Sequence, residues 1–306
     1  MSKEKLTKVS LLAITMLLSV VVPTVNAQTV DWASPTSSEL LSVYMVDSND
    51  GWAVGDSGTI IRWDGINWTI VSSPTGYPLH SVFMVSADDG WAVGEHGMII
   101  RWDGINWTTV SSPTTSGLSS VFMVSADDGW AVGYGILHWD GTSWANVSSP
   151  TTSNLNEVSM VSADDGWAVG GVGETIHWNG VSWNNVTTDA AVPLYGLYMV
   201  DANDGWAVGG HAMFYAGVLI HWDGTSWNTQ VTGGPIISVF MVSANDGWAV
   251  GYLGIIFRYI TPDWIPEFPT AILTLLLIVL TLLVVVISKK TRLKKTTPSF
   301  PSKTQL

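Results

Sequence analysis

Six cationic side chains recur at one position of a sequence repeat, directly before an aromatic residue. They are Arg62, Arg101, His138, His177, His221 and Arg258. Arginine in particular holds carboxylates and phosphates through paired N–H donors. Three arginines that converged on one open pocket beside a carboxylate would favour a glycoside hydrolase acting on an anionic sugar. The alternative is structural, with each cation paired to a repeat aspartate or stacked on a tryptophan.

The repeat that carries these cations consists of D-G-W-A-V-G, a short turn, an apolar run and W-D-G-x-x-W. Its leading tryptophans are Trp52, Trp91, Trp130, Trp167, Trp206 and Trp248, at spacings of 39, 39, 37, 39 and 42 residues. Each copy contains four short apolar runs separated by Gly and Asp turns, which indicates a four-stranded sheet of the kind found in propeller blades. We therefore predict an all-β, six-bladed β-propeller over residues 28–260.

The two ends of the array suggest how the ring closes. The sixth copy has no D-G-x-x-W phrase after Tyr259, whereas residues 30–36 match the fourth-strand phrase of the other copies. We expect this N-terminal strand, which contains Trp32, to complete the sixth blade and leave no open sheet edge. The chain has no cysteine, so the domain needs no disulfide, and thiol catalysis and zinc–thiolate sites are excluded.

Segments outside the repeats predict export and a membrane anchor. Residues 1–27 combine three lysines, an apolar run and a small-residue cleavage site, which is typical of a signal peptide. Residues 261–269 form a predicted linker, 270–288 a transmembrane helix, and 289–306 a basic tail that the positive-inside rule places in the cytoplasm. The predicted product is a single-pass membrane protein with its propeller at the cell surface.

The charge of the repeat region limits its partners. Between residues 28 and 264 there are 23 carboxylates and three arginines, a formal charge of −20. Such a surface repels nucleic acid, and it favours neutral or basic partners. We predict no cofactor and no metal, because the Asp-Asp-Gly turns lack the alternating oxygen ligands of a calcium loop.

The motifs resemble two known kinds of sequence. The repeats are similar to the Asp-box (BNR-like) repeats of sialidase-like propellers, and more closely to the D-G-W-A-V-G pattern of the photosystem II assembly-factor family, in which seven blades also occur. This resemblance implies the propeller fold. Pro266, Glu267 and Phe268, just before the predicted span, resemble an archaeal sorting signal cut by archaeosortases, which implies a sortase-type processing enzyme as a partner.

The sequence favours a membrane-tethered, non-catalytic binding module for a cell-envelope protein or glycan, and it assigns no catalytic residue. The alternatives are a sialidase-like glycoside hydrolase and an assembly factor for a membrane complex. Candidate ligand-binding residues are the six cations together with His211, Phe214 and Tyr215, from a longer and more aromatic loop in the fifth copy. Predicted glycosylation sites are Asn67, Asn106, Asn146 and Asn185, the first two at hairpin tips.

Overall fold

The protein contains six four-stranded antiparallel sheets, one for each copy of the repeat. The structure, a computed structural model, describes residues 34–211, 216–232, 234–260 and 263–266. All six sheets belong to one compact unit that begins at Ser38, and the chain passes through the four strands of each sheet in order. The predicted all-β, six-bladed propeller is thereby confirmed.

The first three sheets follow the repeat closely. Sheet one comprises β1 (Leu40–Met45), β2 (Gly51–Gly55), β3 (Ile60–Trp63) and β4 (Trp68–Val71). Sheet two comprises β5 (Leu79–Ser86), β6 (Asp89–Gly94), β7 (Ile99–Trp102) and β8 (Trp107–Thr109). Sheet three comprises β9 (Leu118–Ser125), β10 (Asp128–Gly133), β11 (Ile136–Trp139) and β12 (Trp144–Val147).

The last three sheets include the longest hairpin and the end of the array. Sheet four comprises β13 (Leu155–Ser162), β14 (Asp165–Gly170), β15 (Thr175–Trp178) and β16 (Trp183–Asn185). Sheet five comprises β17 (Leu194–Asp201), β18 (Asp204–His211), β19 (Ala216–Trp222) and β20 (Trp227–Thr232). Sheet six comprises β21 (Ile236–Ser243), β22 (Asp246–Gly251), β23 (Ile256–Ile260) and β24 (Asp263–Pro266).

The D-G turn between the third and fourth strands fixes the register of each outer hairpin. In sheet two, Asp103 Oδ1 accepts hydrogen bonds from the backbone N–H groups of Ile105 and Asn106, at 2.9 and 2.8 Å. Gly104 has φ +88°, a conformation that glycine adopts without strain. The turn therefore sets Trp102 directly opposite Trp107.

Tryptophans join each sheet to the next. The ring of Trp91, on the second strand of sheet two, lies 4.8 Å from Trp139 and 5.4 Å from Trp144, which flank the outer turn of sheet three. Trp91 is completely buried. A tryptophan buries about 150–250 Å², which corresponds to about 4–6 kcal/mol as an upper bound at 25 cal/mol/Å². We call the two outer-turn tryptophans of a sheet its clamp; a tryptophan of the preceding sheet packs against it.

The predicted closure by an N-terminal strand was wrong for the sixth sheet. Its fourth strand is β24, inside the predicted linker, and Trp264 pairs with Tyr259. The two residues are five positions apart, the spacing that separates Trp63 from Trp68 in sheet one. The aromatic spacing specifies the hairpin even though Ile260 and Thr261 replace the D-G turn letters, so the sixth copy supplies its own outer strand.

Other predicted segments lie outside the described residues. These are the signal peptide at 1–27, the start of the expected N-terminal strand at 30–33, the span at 270–288 and the tail at 289–306. Within the part of the chain that the structure describes, no helix is long and apolar enough to cross a membrane.

Candidate binding surface

The three repeat arginines are engaged by the aspartates of their own sheets. Arg101 donates from Nε and Nη2 to the two carboxylate oxygens of Asp89, at 2.8 and 3.0 Å. Arg62 and Arg258 make the same bidentate contact with the first aspartate of their D-G-W-A-V-G motifs, at 2.9–3.3 Å. This hydrogen bonding raises the pKa of Arg101, against the opposing effect of its partial burial.

Histidine takes the same place in sheets three to five. The Nε2 atoms of His138, His177 and His221 lie 2.7–2.8 Å from an Oδ1 atom of the equivalent aspartates. Each ring also packs on the buried tryptophan of its own sheet, with centroids 4.0–4.4 Å apart. The arginines do likewise, with Arg101 Cζ 4.9 Å from the Trp91 ring.

These six cations therefore lie one to a sheet, each held between a carboxylate and an indole ring. Each makes a short polar contact with an aspartate of its own sheet and packs on the tryptophan of that sheet, and for the arginines this combines an ion pair with a cation–π contact. We interpret them as structural pairs rather than as a ring of ligand-binding groups. Among the described residues, no group of three His, Cys, Asp or Glu side chains could hold a metal ion.

The fifth copy differs from the others as the sequence suggested. Its second and third strands extend by further pairs, Gly210 with Gly217 and His211 with Ala216, and form a longer hairpin than in any other sheet described. His211 is the last residue of β18, while the predicted contact residues Phe214 and Tyr215 lie outside the described residues.

All four glycosylation candidates have exposed side chains. Asn67 and Asn106 lie at the outer-turn tips, as predicted, whereas Asn146 and Asn185 lie on the outermost strands of sheets three and four. A glycan on any of the four would project from the rim of a sheet.

The two ends of the sheets differ in chemistry. In sheets two to five, the clamp flanks the turn between strands three and four, and it receives a tryptophan from beside the turn between strands one and two of the preceding sheet. The aspartate-rich turns of all sheets therefore share one end, and the connections between strands two and three and between successive sheets share the opposite end. We call the opposite end the tyrosine face, after Tyr77, Tyr134, Tyr195 and Tyr252.

The tyrosine face presents aromatic side chains to solvent. Tyr134 is 71% exposed, and Tyr77 and Tyr252 are each 48% exposed. Tyr77 packs against His96 at a centroid distance of 4.5 Å, although the two residues lie in different connections. His96 has φ +58°, an uncommon conformation for a residue with a side chain, and it lies on the surface.

The start of the first strand carries a different residue in every copy. A leucine or isoleucine opens this strand in every sheet, and it is buried in all but sheet one. The residues that follow it in the six sheets are Leu41, His80, Ser119, Asn156, Tyr195 and Ile237. We call these six positions the variable ring. His80 Nδ1 lies 3.0 Å from the carbonyl oxygen of Leu118, and Asn156 donates to the carbonyl of Leu194 at 2.7 Å, so both bridge to the next sheet.

Sequence reasoning missed the variable ring. The signal was available, because five of the six copies share Leu at the preceding position while the ring position never repeats. Burial raises the pKa of Tyr195, and the nearby Tyr252 raises it further, which links the ring to the tyrosines around it.

One carboxylate interrupts a set of small residues just below the ring. The position occupied by Ser42, Ser81, Ser120, Gly196 and Ser238 in the other sheets is Glu157 in sheet four. Part of this residue is exposed, but its carboxyl group is enclosed and accepts a 2.6 Å hydrogen bond from the buried Ser120 hydroxyl. Loss of solvation raises the pKa of Glu157 to about 7, although the bonds from Ser120 and Val158 oppose the rise.

Comparisons with known proteins identify the fold and no family. No family model matches the chain, and no curated protein matches it. Among solved structures, the RRP9 WD40 repeats match with a TM-score of 0.65 and 9% identity, over 77% of this chain and 81% of that one.

Two matched structures are of YCF48, a photosystem II assembly factor. YCF48 from Cyanidioschyzon merolae has a TM-score of 0.51 and 14% identity, over 75% of this chain and 98% of that one. The structure described as YCF48 bound to D1 peptide has a TM-score of 0.43 and 18% identity, over 74% and 95%. The similarity to this family expected from the repeats is confirmed as a likeness of fold.

Proposed function

We propose that this chain is a non-catalytic propeller that binds a segment of a membrane protein on its tyrosine face, as an assembly factor for a membrane complex. The observation that carries the proposal is the position of the exposed tyrosines around a ring of residues that differ in all six copies. The repeat architecture does not require one residue type at a position that never repeats, so the residue types there can vary to suit recognition.

The chemistry of the face suits a protein partner. Tyrosine offers a large apolar ring and a hydroxyl while losing little side-chain entropy, and it is enriched in protein interfaces. Tyr134 and Tyr252 are well exposed, so both are available for contact. The strongly negative repeat region further favours a neutral or basic segment over an acidic one.

The contacts of the repeat arginines and of the outer-turn aspartates support a non-catalytic role. The arginines that a sialidase-like site would need for an anionic sugar are each engaged by an aspartate of their own sheet. Outer-turn aspartates such as Asp64 and Asp103 accept backbone hydrogen bonds, which lower the pKa of each carboxyl group. Both sets of groups have structural tasks, which disfavours a hydrolase.

The path of the last strand favours a partner in the membrane. The fourth strand of each sheet runs from the aspartate-rich end to the tyrosine face, and β24 ends there at Pro266. The predicted span begins at residue 270. At about 3.5 Å per residue, the chain between these positions extends at most about 14 Å. A propeller anchored by this span would hold its tyrosine face toward the bilayer.

Export and surface location are further parts of the proposal that rest on sequence alone. The signal peptide and basic tail support a propeller outside the cytoplasm, and Pro266, Glu267 and Phe268 support processing by a sortase-type enzyme. We prefer a protein partner to a glycan because the variable ring places the apolar residues Leu41 and Ile237 beside the exposed tyrosines. YCF48 has been captured with the D1 peptide; a peptide partner for this chain is our inference from its own surface.

Photocrosslinking within one sheet tests the proposal. The photoreactive residue p-benzoylphenylalanine would replace Tyr134 on the tyrosine face or, as the matched control, the exposed Thr142 in the outer turn of the same sheet. Full-length protein would be irradiated in its native membranes, and products identified by mass spectrometry. We expect a specific membrane protein to crosslink from position 134 and not from 142. Crosslinking of that protein from 142 alone would refute the proposed face.

A purified segment of the crosslinked protein then permits a quantitative test. Tyr134→Ser removes the exposed ring, and we expect it to weaken binding about tenfold or more, as for an aromatic residue central to an interface. Thr142→Ser is the control and should leave the dissociation constant unchanged. Equal affinities of the two variants would contradict a role for the tyrosine face.

A further inference from the structure

The first and sixth sheets expose apolar faces that are buried in the sheets between them. On β1, Val43 and Met45 are 63% and 46% exposed, whereas their equivalents in sheet two, Val82 and Met84, are 4% and 2% exposed. In sheet two these side chains pack against the preceding sheet, but no sheet comes before sheet one in the chain. The first strand of sheet one, β1, therefore presents an apolar face that no described sheet covers.

The opposite face is unpartnered in sheet six. Trp248 is 37% exposed and Val250 44%, whereas their equivalents in sheet two, Trp91 and Val93, are completely buried. On β21, Phe240 is 57% exposed. Among the described residues, the hydrophobic clusters join sheets one to two, two to three, three to four, four to five and five to six, and no cluster joins six to one.

The two exposed faces are the two halves of the contact that recurs between sheets. Trp52 enters the clamp of sheet two with centroid distances of 4.7 and 5.4 Å, and Trp91 enters the next clamp in the same way. Trp248 is the equivalent donor at the end of the array. The clamp of sheet one, Trp63 and Trp68, is the equivalent receiver, and its rings are 5.8 Å apart, as in the filled clamps.

The first strands of sheets one and six also match each other in their hydrogen-bonding groups. The Val82 and Val121 N–H groups each donate to a serine hydroxyl of the preceding sheet, at 3.2 Å. The corresponding pair at the ends of the array is Val43 with Ser238. Aromatic rings also touch across sheets, as Tyr198 does with Phe240 at 5.2 Å.

We propose that the exposed faces of sheets one and six pair with each other within one chain, forming a sixth inter-sheet contact in which Trp248 enters the clamp of Trp63 and Trp68. We call this contact the seam. It goes beyond the proposed partner binding and does not depend on it. Tethering both halves to one chain gives them a high effective concentration, which favours this pairing over a second copy.

The seam differs from the ring closure expected from the sequence. All four strands of sheet one come from the N-terminal side of the array, and all four of sheet six come from its C-terminal side. No strand of the described chain is shared between these sheets, so the seam is held by side chains and by single hydrogen bonds. It is consequently the inter-sheet contact with the least chain connectivity, and the place where the ring opens first.

Paired cysteines test the seam directly, because the natural chain contains no cysteine. Full-length protein carrying Val43→Cys and Ser238→Cys would be diluted and treated with diamide, which takes up the two thiol hydrogens as a disulfide forms. Ser81→Cys with Val121→Cys is the matched control at an established contact. Ser42→Cys with Val82→Cys serves as a second control if the first does not fold.

Free-thiol titration and non-reducing mass analysis give the result. We expect loss of both thiols in a monomeric product for positions 43 and 238, as for the control pair. Disulfide-linked dimers would overturn the proposal in favour of a second copy. Thiols that stay free at 43 and 238 while the control pair is bridged would show an open seam and would also overturn it.

Discussion

Replacing Glu157 with glutamine should remove a specific part of the pH dependence of stability. Glu157 is the one carboxylate at a position that is serine or glycine in the other five sheets, and its carboxyl group is enclosed beside the Ser120 hydroxyl. Loss of solvation raises its pKa from an ordinary 4.5 to about 7. The folded state therefore favours the protonated form, which glutamine imitates without titrating.

The sign and size of the effect follow from linkage. A raised pKa stabilises the fold fully below pH 4.5, and the contribution is lost as the pH rises through about 7. At about 1.4 kcal/mol for each pH unit of displacement, the wild-type protein should lose about 3 kcal/mol relative to Glu157→Gln across this window. Other titrating groups are common to both proteins, so they cancel in the difference.

Urea unfolding followed by tryptophan fluorescence, between pH 4.5 and 8, measures this difference. We expect the free energies of unfolding of the two proteins to be closest at the acid end and to diverge toward neutral pH, with the variant the more stable. Glu157→Ser, which restores the residue found in most sheets, is a second variant that cannot titrate. A difference between wild type and Glu157→Gln that stays constant across the range would refute the assigned pKa and its cause.

Three further predictions concern the scaffold. Trp91→Ala should lower the free energy of unfolding by about 3–5 kcal/mol, because it empties a filled clamp. Ile105→Ala, at an exposed turn tip, should change the free energy of unfolding by less than about 0.5 kcal/mol. Urea unfolding compares the two variants, and similar losses would contradict the role of the clamp. Arg101→His should retain more stability than Arg101→Ala, because histidine pairs with the equivalent aspartate in three other sheets. Equal melting temperatures of the two variants would contradict a structural role for the pair. Asp140→Asn should melt closer to wild type than Asp140→Ala, since Asn179 accepts the same two turn hydrogen bonds in sheet four, and the reverse order in thermal unfolding would count against that role for the turn.

Much of the fold could be predicted because the turn residues and the aromatic residues of the repeat recur along the chain. The four short apolar runs of each copy predict four strands, and the structure has four strands in every sheet. The repeat also fixed the register of the cations, and the structural alternative of pairing with aspartate and stacking on tryptophan agrees with the geometry of all six.

The last strand and the candidate surface were harder to predict for physical reasons. The outer hairpin of sheet six keeps the aromatic spacing of Tyr259 and Trp264 but not the turn letters, so a search for Asp-Gly overlooked it. Each position of the variable ring lies within a register shift, as His80 does between Leu79 and Ser81, and such a residue does not obey the alternation of a regular strand. The sequence shows that this position never repeats, but the shared location of the six residues depends on how the sheets are arranged in space.

The orientation of the propeller on the membrane tests the central claim most directly. A single fluorophore would be attached through Tyr252→Cys on the tyrosine face or through Asn245→Cys at the opposite end of the same sheet, both exposed positions in a chain without other cysteines. Full-length protein would be reconstituted in vesicles whose lipid headgroups carry a spin-label quencher. We predict strong quenching at position 252 and little at 245. Stronger quenching at 245 would place the tyrosine face away from the bilayer and contradict its proposed role in binding a membrane protein.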